Sequence, residues 1–305
     1  MSLLAPTRSS LSDRKTDSFA SKTGYGATTD GTWPYSYDSC DIGILPNQTY
    51  LNGTGPYSAL HSPTDGSLSY LPGQRWSSCT CKGEDHPGPD VSVGRGVPEV
   101  DLIEAHKYLV FALITKRNHI LTFMISGFAQ IVIDTSTGQV SQTLQIAPYD
   151  ADWKFDNTSA VLVNTDLSSY NSYTGGVYQQ SCSVLTSIPD ASYEETGAEY
   201  VTFAYEMYGN KDDRDGGYIT WVSDGVEAWT LKAPGLAANP LTGVGQRLIP
   251  EEPMALVINL GLSDNFQWVD KANLNFPSEM KIEYIRVYQR EDFGSVGCDP
   301  AGKHT

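Results

Sequence analysis

The sequence predicts an all-β protein of antiparallel strands, on three observations. Short runs rich in Val, Ile, Thr, Tyr, Phe and Trp recur between turn signals through the later part of the chain. Ser223-Asp-Gly225 separates two such runs and reads as a tight hairpin. The composition, 18 % charged with 18 Tyr and 28 Gly, suits an extracellular β protein with long loops. Helix signals are confined to about residues 104–118, where the periodicity is poor.

Taken in order, residues 1–22 are Ser-rich with mixed charge and read as a disordered leader. They carry no apolar h-region, so no signal peptide is visible. Residues 24–98 are rich in Gly, Pro, Ser, Tyr and Asp and have little periodicity. So long an irregular stretch is either a functional loop or an insertion. Disulfides, Trp33, Trp76 and several Tyr would anchor it as a substrate-facing loop.

Next comes Pro98-Glu-Val-Asp-Leu-Ile-Glu-Ala105, which sets Glu99, Asp101 and Glu104 among Val, Leu and Ile. The apolar partners favour a buried strand, yet unpaired buried charge is costly. Glu99 and Asp101 share a face of a regular strand, whereas Glu104 falls on the other. One bulged residue, at Leu102 or Ile103, returns Glu104 to the same face. Two carboxyls then flank one bond with Asp101 between them. A retaining glycosidase needs such a pair, roughly 5–5.5 Å apart. Asp101 can hydrogen-bond a neighbouring Glu and separate the two pKa values. A helix end with scattered acids would carry the same letters.

The remaining strands are expected at 140–147, 160–163, 200–207, 217–222, 226–231, 254–260 and 280–288. The last alternates, with Ile282, Tyr284 and Arg286 on one face and Ile285 and Val287 on the other. The most apolar run, Ile120 to Ile133, is broken by Ser126, Gly127 and Gln130. It is shorter than the roughly 20 residues of a spanning helix.

At 305 residues the chain holds one large or two ordinary domains. A net charge of −16 argues against a nucleic-acid partner and against an anionic membrane surface, and allows a neutral polymer such as a glucan. The five cysteines are Cys40, Cys79, Cys81, Cys182 and Cys298, an odd number that leaves a free thiol or an absent partner. Cys79-Thr-Cys81 with His86 is too sparse for zinc, so no metal and no cofactor are expected. Asn47, Asn52 and Asn157 begin sequons that accept N-glycans in a secretory compartment.

Several segments carry a family resemblance. They are 25–40 (Tyr-Gly-Ala-Thr-Thr-Asp-Gly-Thr-Trp-Pro-Tyr-Ser-Tyr-Asp-Ser-Cys), 79–89, Gln145-Ile-Ala-Pro-Tyr-Asp150, Gly176-Val-Tyr-Gln-Gln180, Ile249-Pro-Glu-Glu-Pro-Met254 and Gly297-Cys-Asp-Pro300. With the acidic strand, the Asp-Gly hairpin and the closing Phe276–Tyr288 pattern, the chain resembles glycoside hydrolase family 16. More closely it resembles the fungal β-glucan synthesis-associated proteins of the killer-toxin-resistance type. The resemblance implies a concanavalin A-like β-jelly-roll sandwich and retaining cleavage or transfer of β-glucan. It implies Glu99 as nucleophile, Asp101 as the assisting carboxylate and Glu104 as general acid/base. The expected partner is β-glucan of the cell wall, in β-1,6-glucan synthesis. The expected location is the secretory pathway and cell-surface membrane, as a type II membrane protein whose membrane segment is absent from this chain. Trp33, Trp76 and Trp153 are candidates to stack on sugar faces, and Gln145 to reach the sugar. Each reads equally as loop packing or a satisfied strand amide.

Against that pattern the amino-terminal jelly-roll strands are missing, and the family-like domain runs over 23–292 with a tail at 293–305. A sandwich without those strands would expose unpaired edges and apolar faces. An atypical apolar insert occupies about 107–130. It reads as a retained intron, since Lys-Tyr can embed GTAT and the final Gln can be CAG, or else as a genuine amphipathic insertion. A catalytically inactive glucan-binding or scaffold protein on the same fold is the main alternative function. A lectin-like sandwich whose acids bind calcium ranks last.

Overall fold

A computed structural model of the chain describes residues 2–4, 50–57, 98–106, 121–127, 138–146, 149–150, 152–175, 180–192, 197–210, 212–250, 255–261, 277 and 280–290. In chain order the strands are β1 (Ser2–Leu4), β2 (Glu99–His106), β3 (Leu121–Gly127), β4 (Gln139–Ile146), β5 (Ala160–Leu162), β6 (Ser168–Tyr170) and β7 (Gln180–Ser187). They continue with β8 (Val201–Tyr208), β9 (Tyr218–Ser223), β10 (Val226–Lys232), β11 (Ala255–Val257), β12 (Met280–Lys281) and β13 (Ile285–Arg286). Apart from strands, the elements that lie within the described residues are short 3₁₀ turns. Of the stretch with helix signals, Glu104–His106 finish β2, and residues 107–118 lie outside the described residues.

The strands form two antiparallel sheets. One runs β11-β1-β2-β4-β7-β6; the other runs β12-β3-β8-β9-β10-β5, with β13 also on β3. Alternation decides which side of each strand faces inward. On β9, Ile219 and Trp221 are buried while Tyr218 and Thr220 are half-buried, and on β8 Val201, Phe203 and Tyr205 point into the same core. The first sheet answers with Val100, Leu102, Val140, Leu144, Ile146, Cys182 and Val184. Each large apolar side chain so buried contributes roughly 1.5–3 kcal/mol. Tyr205, Trp221 and Trp229 stand opposite one another on β8, β9 and β10, an aromatic row across the second sheet. The Trp221 and Trp229 rings are stacked with centroids 4.4 Å apart and planes 4° from parallel.

The β9–β10 hairpin turns at Asp224 (φ 51°) and Gly225 (φ 76°), the left-handed pair that Asp-Gly supplies. The strands expected at 140–147, 160–163, 200–207, 217–222 and 226–231 form, shifted by a residue or so at their ends. The strand expected over 254–260 is confined to Ala255–Val257, and the closing strand is two short pieces. In the closing segment the Arg286 guanidinium lies over the Tyr284 ring, 4.1 Å from its centroid, as same-face neighbours should.

Short pieces of the expected leader and of the atypical insert are paired into the two sheets. The leader supplies β1, which pairs with β2 on one side and β11 on the other. The insert supplies β3, which pairs with β8, β12 and β13. Both lie where β2 and β8 would otherwise present open edges, and an unpaired edge takes up any chain able to supply a ladder. The rest of the leader and of the insert lies outside the described residues.

Candidate active site

The acidic strand β2 carries a bulge where the spacing demands one. Glu99, Val100 and Asp101 stand opposite Gln145, Leu144 and Thr143 of β4, whereas Glu104 stands opposite Ser141. Leu102 and Ile103 therefore share the place opposite Gln142. Both bulge residues are buried, so core packing holds the extra residue in place. Gln145, Thr143 and Ser141 share a face of β4, which brings Glu99, Asp101 and Glu104 to one face of the sheet. Asp101 is central, with one Glu a same-face step away on either side.

This face is mostly polar. On β7 the same rungs end in Ser181, Ser183 and Leu185. Gln145 donates its side-chain amide to Asp101 Oδ2 at 2.5 Å. The Ser141 hydroxyl lies 3.4 Å from Glu104 Oε2 and 3.3 Å from the Glu104 carbonyl. The Thr143 and Ser183 hydroxyls share a hydrogen bond of 2.7 Å, and Asn171 donates to Ser183 Oγ at 3.2 Å. From beneath, the Trp221 indole N–H donates to the Asp101 carbonyl at 3.0 Å.

Asp101 is fully buried and Glu104 partly so. Burial, and then the neighbouring Asp101 charge, push the Glu104 carboxyl from 4.5 up to about 8. A hydrogen bond between the two side chains adds to that shift, and the Ser141 hydroxyl opposes it. At neutral pH the Glu104 carboxyl therefore favours its protonated form. A protonated carboxyl in this place can protonate a leaving oxygen while a second, ionised carboxylate attacks.

Other expected residues fall as follows. Gln145 lies on the acid face with its amide engaged by Asp101. Trp153 stacks on Tyr149 at 4.7 Å and packs against the core. Tyr149 is itself fixed: its hydroxyl donates to the Leu236 carbonyl, accepts from the Arg247 N–H at 3.1 Å, and its ring lies 4.8 Å under the Arg247 guanidinium. Asn52 is exposed in a turn where its Oδ1 accepts from Thr54 N (3.0 Å) and Thr54 Oγ1 (2.7 Å). Asn157 is exposed in the 3₁₀ turn that Asp156 caps. Cys182 is a buried free thiol, its pKa raised by burial. Trp33, Trp76, Asn47 and the other four cysteines lie outside the described residues.

Sequence reasoning missed Ser141, Thr143, Asn171, Tyr173, Ser183 and Trp221. The alternation Ser141-x-Thr143-x-Gln145 was a readable signal once β4 is paired with β2. Tyr173 is 51 % exposed in the β6–β7 connection. Its phenol pKa is raised by burial and then by the Glu104 charge. That connection is tied down by Asn171 N–H to the Ser183 carbonyl (3.0 Å) and Ser181 N–H to the Thr174 carbonyl (3.0 Å).

A family model described as beta-glucan synthesis-associated protein SKN1/KRE6/Sbg1 matches residues 19–305. The chain is 37 % identical over 278 residues to the beta-glucan synthesis-associated protein SKN1 of Candida albicans, covering 91 % of this chain and 32 % of that protein. It is 38 % identical over 282 residues to the beta-glucan synthesis-associated protein KRE6 of Saccharomyces cerevisiae, covering 91 % of this chain and 33 % of that protein. The chain thus spans about one third of the length of these relatives. No solved structure matches it.

Proposed function

This chain belongs to the SKN1/KRE6/Sbg1 family of beta-glucan synthesis-associated proteins, and from that premise we propose that it carries the catalytic strand of a retaining β-glucan hydrolase or transglycosylase acting in fungal cell-wall β-1,6-glucan synthesis. The fold is a jelly-roll sandwich of the concanavalin A-like kind. The observation that carries the reading is the bulge. It sets three carboxylates on one polar face and leaves Glu104 protonated beside Asp101.

In this reading Glu99 attacks the anomeric carbon while Glu104 gives its proton to the departing glycosidic oxygen. A glycosyl ester on Glu99 results. Glu104, now ionised, takes a proton from water or from a sugar hydroxyl, which opens the ester with overall retention. Asp101 raises the Glu104 pKa and is itself held by Gln145. Transfer to a sugar hydroxyl in place of water would extend a wall polymer. In this reading the chain acts in the secretory pathway or at the cell surface; among the described residues no helix is long and apolar enough to cross a membrane.

The experiment is to incubate the chain with β-1,3- and β-1,6-glucan oligosaccharides and to follow shortened and lengthened products. Products that vanish in Glu99→Gln support the enzyme. Glucan binding that survives this substitution, with no product from the unaltered chain, favours the scaffold alternative.

A further inference from the structure

We propose that Trp221 is a positioning residue for the acid pair: from the opposite sheet it pins the bulge of β2 and thereby sets where Glu104 stands relative to Asp101. The proposal deepens the glycosidase reading and rests on it. A bulge disrupts its ladder locally, and backbone polar groups there need partners from elsewhere. At Asp101 such a partner comes across the core, as the Trp221 indole N–H donates to its carbonyl at 3.0 Å. A second crossing flanks the same bulge. Gln142, opposite Leu102 and Ile103, directs its side-chain N–H to the Val222 carbonyl at 3.5 Å and accepts from Thr186 Oγ1 at 3.0 Å.

Trp221 and Val222 are consecutive, so one short segment of β9 grips both strands at the bulge. Trp221 is fully buried and its ring is locked face to face on Trp229. A donor with no freedom to move is what a fixed carboxylate separation requires. The groups that bear on Glu104 are Asp101 on its own strand, the Ser141 hydroxyl of β4 and the positively charged amino terminus of the chain. Tyr173 from the β6–β7 connection senses Glu104, and Tyr205 from β8 senses Asp101.

Trp229 supplies the control. It is equally buried in the same stack, and its indole N–H has no hydrogen-bond partner among the described residues. Trp221→Phe and Trp229→Phe remove the same atoms from the core, but only the first removes the bond to the bulge. In the full chain, the side-chain carboxyls are titrated by carbon-13 NMR and turnover of glucan oligosaccharides is measured. Trp221→Phe is expected to lower the Glu104 midpoint by about one unit or more, tenfold in proton affinity, because the released bulge lets the carboxyl turn to water. Its kcat is expected to fall on the order of 10- to 100-fold, more than its KM changes. Trp229→Phe loosens the stack but keeps the indole N–H bond to Asp101, so it is expected to move the Glu104 midpoint and kcat clearly less than Trp221→Phe does.

Equal Glu104 titration in the two variants overturns the proposal, whether or not the chain turns over glucan. Absence of turnover by the unaltered chain overturns the glycosidase reading instead, and the titration still decides the role of Trp221. Where the Phe variant does not fold, 3-benzothienylalanine at position 221 repeats the test, since it replaces the N–H by sulfur at nearly constant volume.

Discussion

Gln145 holds Asp101 through a 2.5 Å hydrogen bond between two side chains that are 7 % and 0 % exposed. The amide comes from the β4 residue opposite Glu99, one same-face step from Thr143, which stands opposite Asp101 itself. Gln145→Leu should leave a buried carboxyl without that donor. The expected loss is about 1–3 kcal/mol of unfolding free energy, read by urea denaturation. Gln145→Glu should behave differently. It adds a second acid against Asp101, so its cost should grow as pH rises and both ionise. Equal costs for that variant at about pH 4 and about pH 8 would show that Asp101 does not depend on the amide for its charge.

Glu104 makes stability fall with rising pH. Its carboxyl titrates near 8 in the folded chain and near 4.5 in the unfolded one. Between those values the folded state binds the extra proton, so unfolding free energy declines as pH climbs through this window. Below 4.5 both states are protonated and above 8 both are ionised, and this contribution is then flat. Glu104→Gln mimics the protonated side chain and cannot ionise. Thermal melting followed over the window should therefore show a smaller decline in this variant than in the unaltered chain. Parallel curves would mean that Glu104 ionises normally.

The three acids and their bulge were legible because two simple periods meet in one hexapeptide. Glu99 and Asp101 keep the strand period, and Glu104 breaks it by one residue. What lay around them was not legible. Strand β7, Gln-Ser-Cys-Ser-Val-Leu-Thr-Ser, has no clear alternation. One of its faces serves the core through Cys182 and Val184, while the other serves a polar site through Ser181 and Ser183. Strands β1 and β3 were hidden for another reason. Ser-Leu-Leu and Leu-Thr-Phe-Met-Ile-Ser-Gly owe their state to the edges of β2 and β8, and no local pattern announces that. Trp221 looked like any core aromatic, since a donor aimed at a strand 120 residues away leaves no local trace.

Gly225 carries the β9–β10 hairpin at φ 76°, with open space where a Cβ would stand. A Cβ there meets no neighbouring atom, so the cost to expect first is backbone strain. Gly225→Val should destabilise by about 1–2 kcal/mol, the left-handed penalty, and more than Gly225→Asn, which tolerates that region. Denaturant unfolding of the two variants measures the difference. Equal stability would show that the turn relaxes to another type without disturbing the Trp221–Trp229 stack.

The separate tasks assigned to Glu99 and Glu104 predict opposite responses to the leaving group. Protonating a sugar oxygen is the task proposed for Glu104, and general acid catalysis of this kind contributes about 10²–10⁴-fold. An aryl glycoside with an acidic phenol departs without a proton. Glu104→Ala should therefore lose most activity on glucan oligosaccharides but form the glycosyl ester on activated aryl β-glucosides at a nearly normal rate. A burst of phenol followed by slow turnover would report that ester, because its opening still lacks the base. A small anionic nucleophile that needs no base should then restore turnover. Glu99→Ala removes the attacking carboxylate, so it should give no burst with either substrate. If the two variants fail alike on the activated glycoside, the acids do not divide the labour between nucleophile and acid/base. The bulged strand would then be a binding surface rather than a catalytic one.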